Sequence, residues 1–310
     1  MQRGVVFLSA FCILLFLGSL AFGLQVVDSV GRTVSLPAPA HRVVSLTPAN
    51  TEIVFALGAG EELVGVTTYC DYPEEAKTKE KVGSITEVDL EAVVRLSPDL
   101  VLAGSLTPRE TVDRIAELGY PVVVLDARSI AEVLENVRKV ALLLGREKEG
   151  GELVASLEKA ITDITTKVAG IPEASRPRVF HVIWHDPLWT AGKNTFIHEF
   201  ITLAGGQNVA GDLEGYVTLD LEELIRRNPD ILTVVSTHGG ENFPYQFITS
   251  DSRLQTLGAV RNKKVFVVDS DIVSRPGPRV VEALRIFASI MHPELFPPQE
   301  AATERSSPSE

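Results

Sequence analysis

A passage written twice constrains this chain more than any other feature. Asp89-Leu90-Glu91, Arg95 and Pro98-Asp99 return at the same spacing as Asp220-Leu221-Glu222, Arg226 and Pro229-Asp230, six identities in thirteen positions. Most of the other positions exchange one apolar residue for another. A shorter echo precedes each copy. Asn50-Thr51 and Ile53 lead to Gly58-Ala59-Gly60, and Asn194-Thr195 and Ile197 lead to Ala204-Gly205-Gly206. Two related halves in the same internal order predict two lobes, and two lobes leave a cleft between them.

The first 23 residues stand apart from this repeat. Arg3 precedes a nearly all-apolar run over 5–17, and Ala21-Phe22-Gly23 supplies small residues for cleavage. This is the pattern of a secretory signal peptide, with an uncleaved anchor as the alternative. No cysteine follows the cleavage point, so no lipid attachment is expected. Removal of the leader takes Cys12 with it and leaves only Cys70, which excludes an intrachain disulfide. Such a chain must rely on large apolar cores. A formal net charge of −12 argues against nucleic acid or an anionic membrane as partner. The expectation is a soluble, monomeric protein of the periplasm with no cofactor of its own.

Along the chain, short valine-rich runs alternate with segments of helical spacing. Strands are predicted over 42–46, 63–67, 100–103, 122–125, 179–184, 231–235 and 264–268. Helices fall over 52–57, 90–96, 107–118, 195–204, 221–227 and 280–291, with Asp89 as an N-cap. Alternation of this kind argues for parallel sheets covered on both faces. Between 129 and 169 no strand pattern occurs, and Leu153, Leu157, Ile161, Ile164 and Val168 recur at helical spacing. The predicted fold is α/β, two similar three-layer lobes with parallel-type sheets joined by a single long helix. Its divisions are an N-terminal lobe over 24–145, an interlobe helix over 146–170, a C-terminal lobe over 171–297 and a disordered tail over 298–310.

Ligands of open α/β sheets sit beyond the carboxyl ends of the strands. That rule selects the loops 45–51, 67–73, 83–86 and 104–107, and in the second half 184–193, 215–218, 236–245 and 269–279. These loops hold Trp184, Trp189 and every tyrosine except Tyr120, in a chain that is only 6% aromatic. The clustering points either to an aromatic-walled pocket for a flat or bulky ligand or to large rings filling gaps between loops and core. Asp271 and Arg275 share one loop and offer an acceptor and a donor to ligand amides, or else a mutual surface ion pair.

Metal and enzyme readings are weaker. His181, His185, Asp186 and His238 all lie in the second half, and His41 precedes its strand, so no converging set of three or four metal ligands is predicted. A metal already held in a larger chelate needs only one axial side chain, for which His185, Tyr69 and Tyr72 are available. Ala191-Gly192-Lys193-Asn194-Thr195 lacks the earlier glycine of a phosphate-binding loop, no Gly-x-Ser-x-Gly elbow occurs, and Cys70 has no activating histidine near it in sequence. No catalytic residue is predicted. Glu91 and Glu222 take equivalent places in the first turns of equivalent helices. Each favours its own helix dipole, and as a pair, one per lobe, they suit a two-fold symmetric partner.

The segments 45–52 and 69–73, with the Asp-Leu-Glu…Pro-Asp repeat, resemble the cobalamin-binding periplasmic proteins, within the wider class that binds cobalamin, haem and ferric siderophores. The resemblance runs from about Arg42 to Ile290. It implies two α/β lobes on one long helix, ligand in the cleft, and delivery to an ABC importer made of a dimeric permease and ATPase subunits. It implies permease docking through Glu91 and Glu222, and ligand contact by Tyr216, Asp271 and Arg275, with Tyr69, Tyr72 and Trp189 in matching pocket loops. The chain departs from cobalamin binders where those carry first-lobe tryptophans, since Ile85 and Gly104 stand there. The leading expectation is a receptor for a corrinoid or related metal chelate. A haem or ferric-siderophore receptor, an exported enzyme or chelatase, and a bare metal-ion receptor are the alternatives.

Overall fold

A computed structural model describes residues 23–236 and 242–297. Residues 1–22 of the expected leader, His238 and the tail over 298–310 lie outside the described residues. In the first half β1 (Leu24–Val27), β2 (Thr33–Leu36), β3 (Val43–Ser45), α1 (Pro48–Ala56), β4 (Leu63–Val66), α2 (Leu90–Leu96), β5 (Leu100–Ala103), α3 (Arg109–Glu117), β6 (Val122–Val124) and α4 (Ile130–Leu143) lead to the long α5 (Glu147–Val168). The second half runs β7 (Arg178–Val182), β8 (Trp184–His185), β9 (Leu188–Ala191), α6 (Phe196–Leu203), β10 (Gln207–Asn208), β11 (Tyr216–Thr218) and α7 (Leu221–Arg227). It ends with β12 (Ile231–Val235), α8 (Phe243–Ser250), α9 (Gly258–Arg261), β13 (Val265–Val268), α10 (Ser270–Ser274) and α11 (Val280–Met291).

Each lobe is built on a four-stranded parallel sheet, in the order β4-β3-β5-β6 and β10-β7-β12-β13. The central strands β5 and β12 are buried on both faces, which is why they read as unbroken apolar runs rather than alternating ones. One apolar cluster covers one face of both sheets and runs without a break from α4 through α5 to α11. Separate clusters fill the opposite faces, around Val101 and Ile115 in the first lobe and around Phe180 and Leu232 in the second.

The helical stretch between the lobes is two helices. It breaks at Gly145, whose φ of +63° suits a residue without a Cβ. Val154, Leu157, Ile164 and Val168 form the buried face of α5. That face packs on α4 of the first lobe and α11 of the second.

The alternation of strand and helix has two antiparallel additions. β1 and β2 form a hairpin ahead of the first sheet. The run expected as one strand over 179–184 ends at Val182, and Trp184-His185 turns back against β9 in a separate sheet ordered β11-β9-β8. The Asn-Thr echo is also out of register. Thr47 and Thr195 are the true N-caps of α1 and α6, each accepting from the amide three residues on. Asn50-Thr51 therefore lie inside α1, whereas Asn194 precedes its helix at φ +58°. Cap geometry, not the shared dipeptide, sets the correspondence.

The longer repeat is explained by structure at its second half. Asp99 accepts hydrogen bonds from the amides of His41 and Arg42 at the entry to β3, and Asp230 accepts from the amide of Arg178 at the start of β7. Both preceding helices end in left-handed residues, Ser97 and Asn228. The first copy also carries the expected cap, Asp89 accepting from the Ala92 amide at 3.0 Å, while Asp220 makes no side-chain cap.

Candidate functional site

The strand ends of both lobes open onto a cleft of about 1300 Å³. The first lobe supplies its wall from the start of α1, the loop around Tyr69 and Ile85, the segment after β5 and the segment from Leu125 into α4. The second supplies the first turns of α6, the approach to β11 and the short helix α10.

Four of the six expected ligand-contacting residues line this space, namely Tyr69, Tyr216, Asp271 and Arg275. Tyr69 and Tyr216 are about half exposed. Tyr72 and Trp189 stand elsewhere. The Tyr72 ring lies under the Arg279 guanidinium, 4.2 Å from its centroid. Trp189 sits in β9, opposite Trp184 on one side and Thr218 on the other. Directly opposed residues share a face of an antiparallel sheet, so Trp184, Trp189, Thr218 and Tyr216 lie on one face. All three of those aromatic rings are exposed. The face therefore runs from the cleft edge at Tyr216 outward to the tryptophans.

Asp271 and Arg275 sit on α10 and just after it. The helix begins where Asp269 accepts hydrogen bonds from the amides of Asp271 and Ile272. The Arg275 guanidinium pairs with Asp271 at 2.8 Å and also reaches the first lobe, meeting Asp71 at 2.7 Å and Glu52 at 3.5 Å. Arg279 grips Glu52 through two hydrogen bonds of 2.9 and 2.7 Å. Glu52 is almost fully buried. Burial disfavours the Asp71 carboxylate, but the hydrogen bond and charge of Arg275 outweigh it and hold its pKa below the ordinary value. Sequence reasoning missed this cross-lobe set. Its one local sign is Glu52, a lone charge in the otherwise uncharged α1.

The segment after β6 and the face of α6 were also missed. Asp126, Arg128 and Glu132 line the cleft from the first lobe, and His198 and Glu199 from the second. The strand-end rule covers the loop after β6 as well as those chosen. Glu199 crosses between lobes, accepting the Ile130 amide at the start of α4 at 2.8 Å. Burial pushes its pKa up, and the charge of Glu132 adds to this against the Ile130 hydrogen bond.

The other candidates lie off the cleft. His185 packs against Trp184 and Phe247, with ring centroids 4.7 and 5.3 Å away, and its buried Nδ1 has no hydrogen-bond partner among the described residues. His181 is buried within the second sheet beside Thr233. Among the described residues, no three His, Cys, Asp or Glu side chains converge as a metal site. Cys70 is buried between the hydroxyls of Thr51 and Thr67, each 3.2 Å from its sulfur. Glu91 and Glu222 are both exposed, and neither makes a side-chain hydrogen bond or ion pair among the described residues. By contrast Glu223, next to one of them, is held by Arg226 and Arg227.

Comparison with known proteins places this geometry in context. A family model described as periplasmic binding protein matches residues 43–272. An uncharacterized ABC transporter substrate-binding lipoprotein of Bacillus subtilis is 34% identical, over 89% of this chain and 87% of its own length. A vitamin B12-binding protein of Salmonella choleraesuis is 31% identical over 79% of this chain and 88% of its own. The solved periplasmic haem-binding protein of Roseiflexus superposes with a TM-score of 0.74 at 28% identity, covering 83% of this chain and 99% of that one.

Proposed function

This chain belongs to the periplasmic binding protein family, and from that premise we propose that it captures a corrinoid or related metal chelate and delivers it to an ABC importer. The observation that carries the ligand class is the size and setting of the cleft. At about 1300 Å³ it exceeds the roughly 300–1,000 Å³ typical of drug-sized ligands, and it suits a macrocycle held between two lobes. Tyr69 and Tyr216 offer aromatic faces from opposite walls, and Leu125 and Phe196 add apolar lining. Tyr69, Tyr72, Trp189, Tyr216, Asp271 and Arg275 are the proposed ligand set. For Tyr72 and Trp189 this requires contact beyond the cleft lining. Haem and ferric siderophores are the alternatives within the same class.

For delivery, Glu91 and Glu222 are proposed as one docking handle per lobe. Their exposure and the lack of side-chain partners among the described residues support this, beyond the favourable charge each gives its own helix. Export would follow from the leader over 1–23, with the mature chain beginning at Leu24. The test is titration of the purified protein with cobalamin, cobinamide, haem and ferric siderophores. At least one should bind with a dissociation constant well below about 1 mM, and binding by none would refute the receptor reading.

A further inference from the structure

The charge lining the cleft bears on which chelates it takes. Carboxylates of Asp126, Glu132, Glu199, Glu214 and Asp271 stand around it. The lining arginines are Arg128 and Arg275. Arg275 is already matched by Glu52, Asp71 and Asp271. Arg128 makes no ion pair with another side chain among the described residues, and it is the only other Lys or Arg of the described lining, with Lys193 standing near His198 outside it. His198 adds no charge near neutral pH, because burial and the nearby Lys193 hold its pKa below the ordinary value.

The hydrogen bonds of these carboxylates do not cancel their charge. Asp126 accepts from the Ser105 hydroxyl at 2.9 Å, Glu214 from the Asn194 amide, and Glu199 from the Ile130 amide. These are neutral donors, which orient the carboxylates without pairing their charge, although burial raises the Glu199 pKa and so weakens its share. The field reaches across the cleft. Burial raises the Tyr216 pKa, and the charge of Asp126 on the facing lobe raises it further. In a concave site with low-dielectric walls, charges of one sign reinforce one another.

Resting on the receptor reading, we infer that the cleft selects uncharged or cationic chelates with a neutral or amide-bearing periphery, and rejects chelates that present several carboxylates or phenolates. Amide N–H groups satisfy the free lone pairs of Asp126, Glu132 and Glu214. A carboxylate in the same place meets like charge, with Arg128 and the nearby Lys193 as the cations that offset it.

Two matched pairs of probes test this. Dicyanocobinamide, with amide side chains, is compared with dicyanocobyrinic acid, the same ring carrying carboxylates. A neutral ferric trihydroxamate is compared with a trianionic ferric tris-catecholate. The neutral member of at least one pair should bind, with its anionic partner about tenfold weaker or more. The gap should narrow in 0.5 M salt, because added salt screens the exposed part of the field. It should also narrow in the Asp126→Asn/Glu132→Gln/Glu214→Gln variant, once its melting profile shows that it folds. Equal or tighter binding of an anionic member overturns the inference and leaves the receptor reading intact. Binding of neither member of either pair, nor of cobalamin or haem, overturns the receptor reading and this inference with it.

Discussion

Glu52 shows how far a single residue was readable. It belongs to a segment that resembles the family, yet its partners Arg275 and Arg279 lie more than two hundred positions away. No local pattern announces such a pairing. Because Glu52 is buried, replacing it with alanine strands the Arg279 guanidinium, whose side chain is 15% exposed. Loss of one partner of a buried pair costs about 3–5 kcal/mol. Glu52→Ala should therefore lower unfolding free energy by about 3 kcal/mol in urea titration. A change under about 1 kcal/mol would place the pair with ordinary surface bridges. His181 gives a second prediction. It is fully buried, and burial lowers its pKa from 6.5 to about 3. The unfolded chain thus binds a proton below about pH 6.5 that the folded chain refuses until about pH 3. Stability falls as pH drops through that window, by about 3 kcal/mol between pH 7 and pH 4 from this residue. The slope of melting temperature against pH over that range should flatten in His181→Gln, and an unchanged slope would contradict the assignment.

At the scale of elements, long buried strands and strongly periodic helices were legible, including the bounds of α7, β12 and α11. Short elements were not. β8 has two residues and β11 three, so neither shows a period, and β8 merges with the apolar run of β7. α10 has five residues and read as a loop, although Asp269 is a favourable cap. Asp271 and Arg275 were thus noticed for their chemistry, but the reach of Arg275 into the first lobe was hidden. The repeat was legible as a repeat and ambiguous as to cause. Asp99 and Asp230 now have a structural reason, the amides at the starts of β3 and β7. Glu91 and Glu222 make no such hydrogen bond among the described residues, only the favourable first-turn charge on their helices, and docking is the role proposed for the pair. Glu91→Ala with Glu222→Ala should leave chelate affinity within about twofold and reduce uptake by about tenfold or more, as expected for charge pairs at an interface. Undiminished uptake in the double variant would remove the role.

At the scale of the molecule, the two lobes do not meet only across empty space. α5 carries one apolar face past both, and Glu52, Asp71 and Glu199 each bond to the opposite lobe. The general plan of two lobes and a cleft was legible from the duplication and from alternation. The cross-lobe ties were not, because they depend on how one lobe sits against the other. A continuous core and buried ion pairs oppose wide hinge motion, so solution scattering should show little change in radius of gyration on adding ligand. A contraction of several ångströms would contradict this.

The central claim is that the interlobe cleft holds the chelate, and calorimetric titration of cobinamide against the wild-type protein and the Tyr69→Ala/Tyr216→Ala variant tests it most directly. The account predicts one site per chain in the wild type, with affinity lower by about tenfold or more in the variant, as expected when two aromatic contacts are lost. Binding of undiminished strength in a folded variant would place the ligand elsewhere and contradict the account.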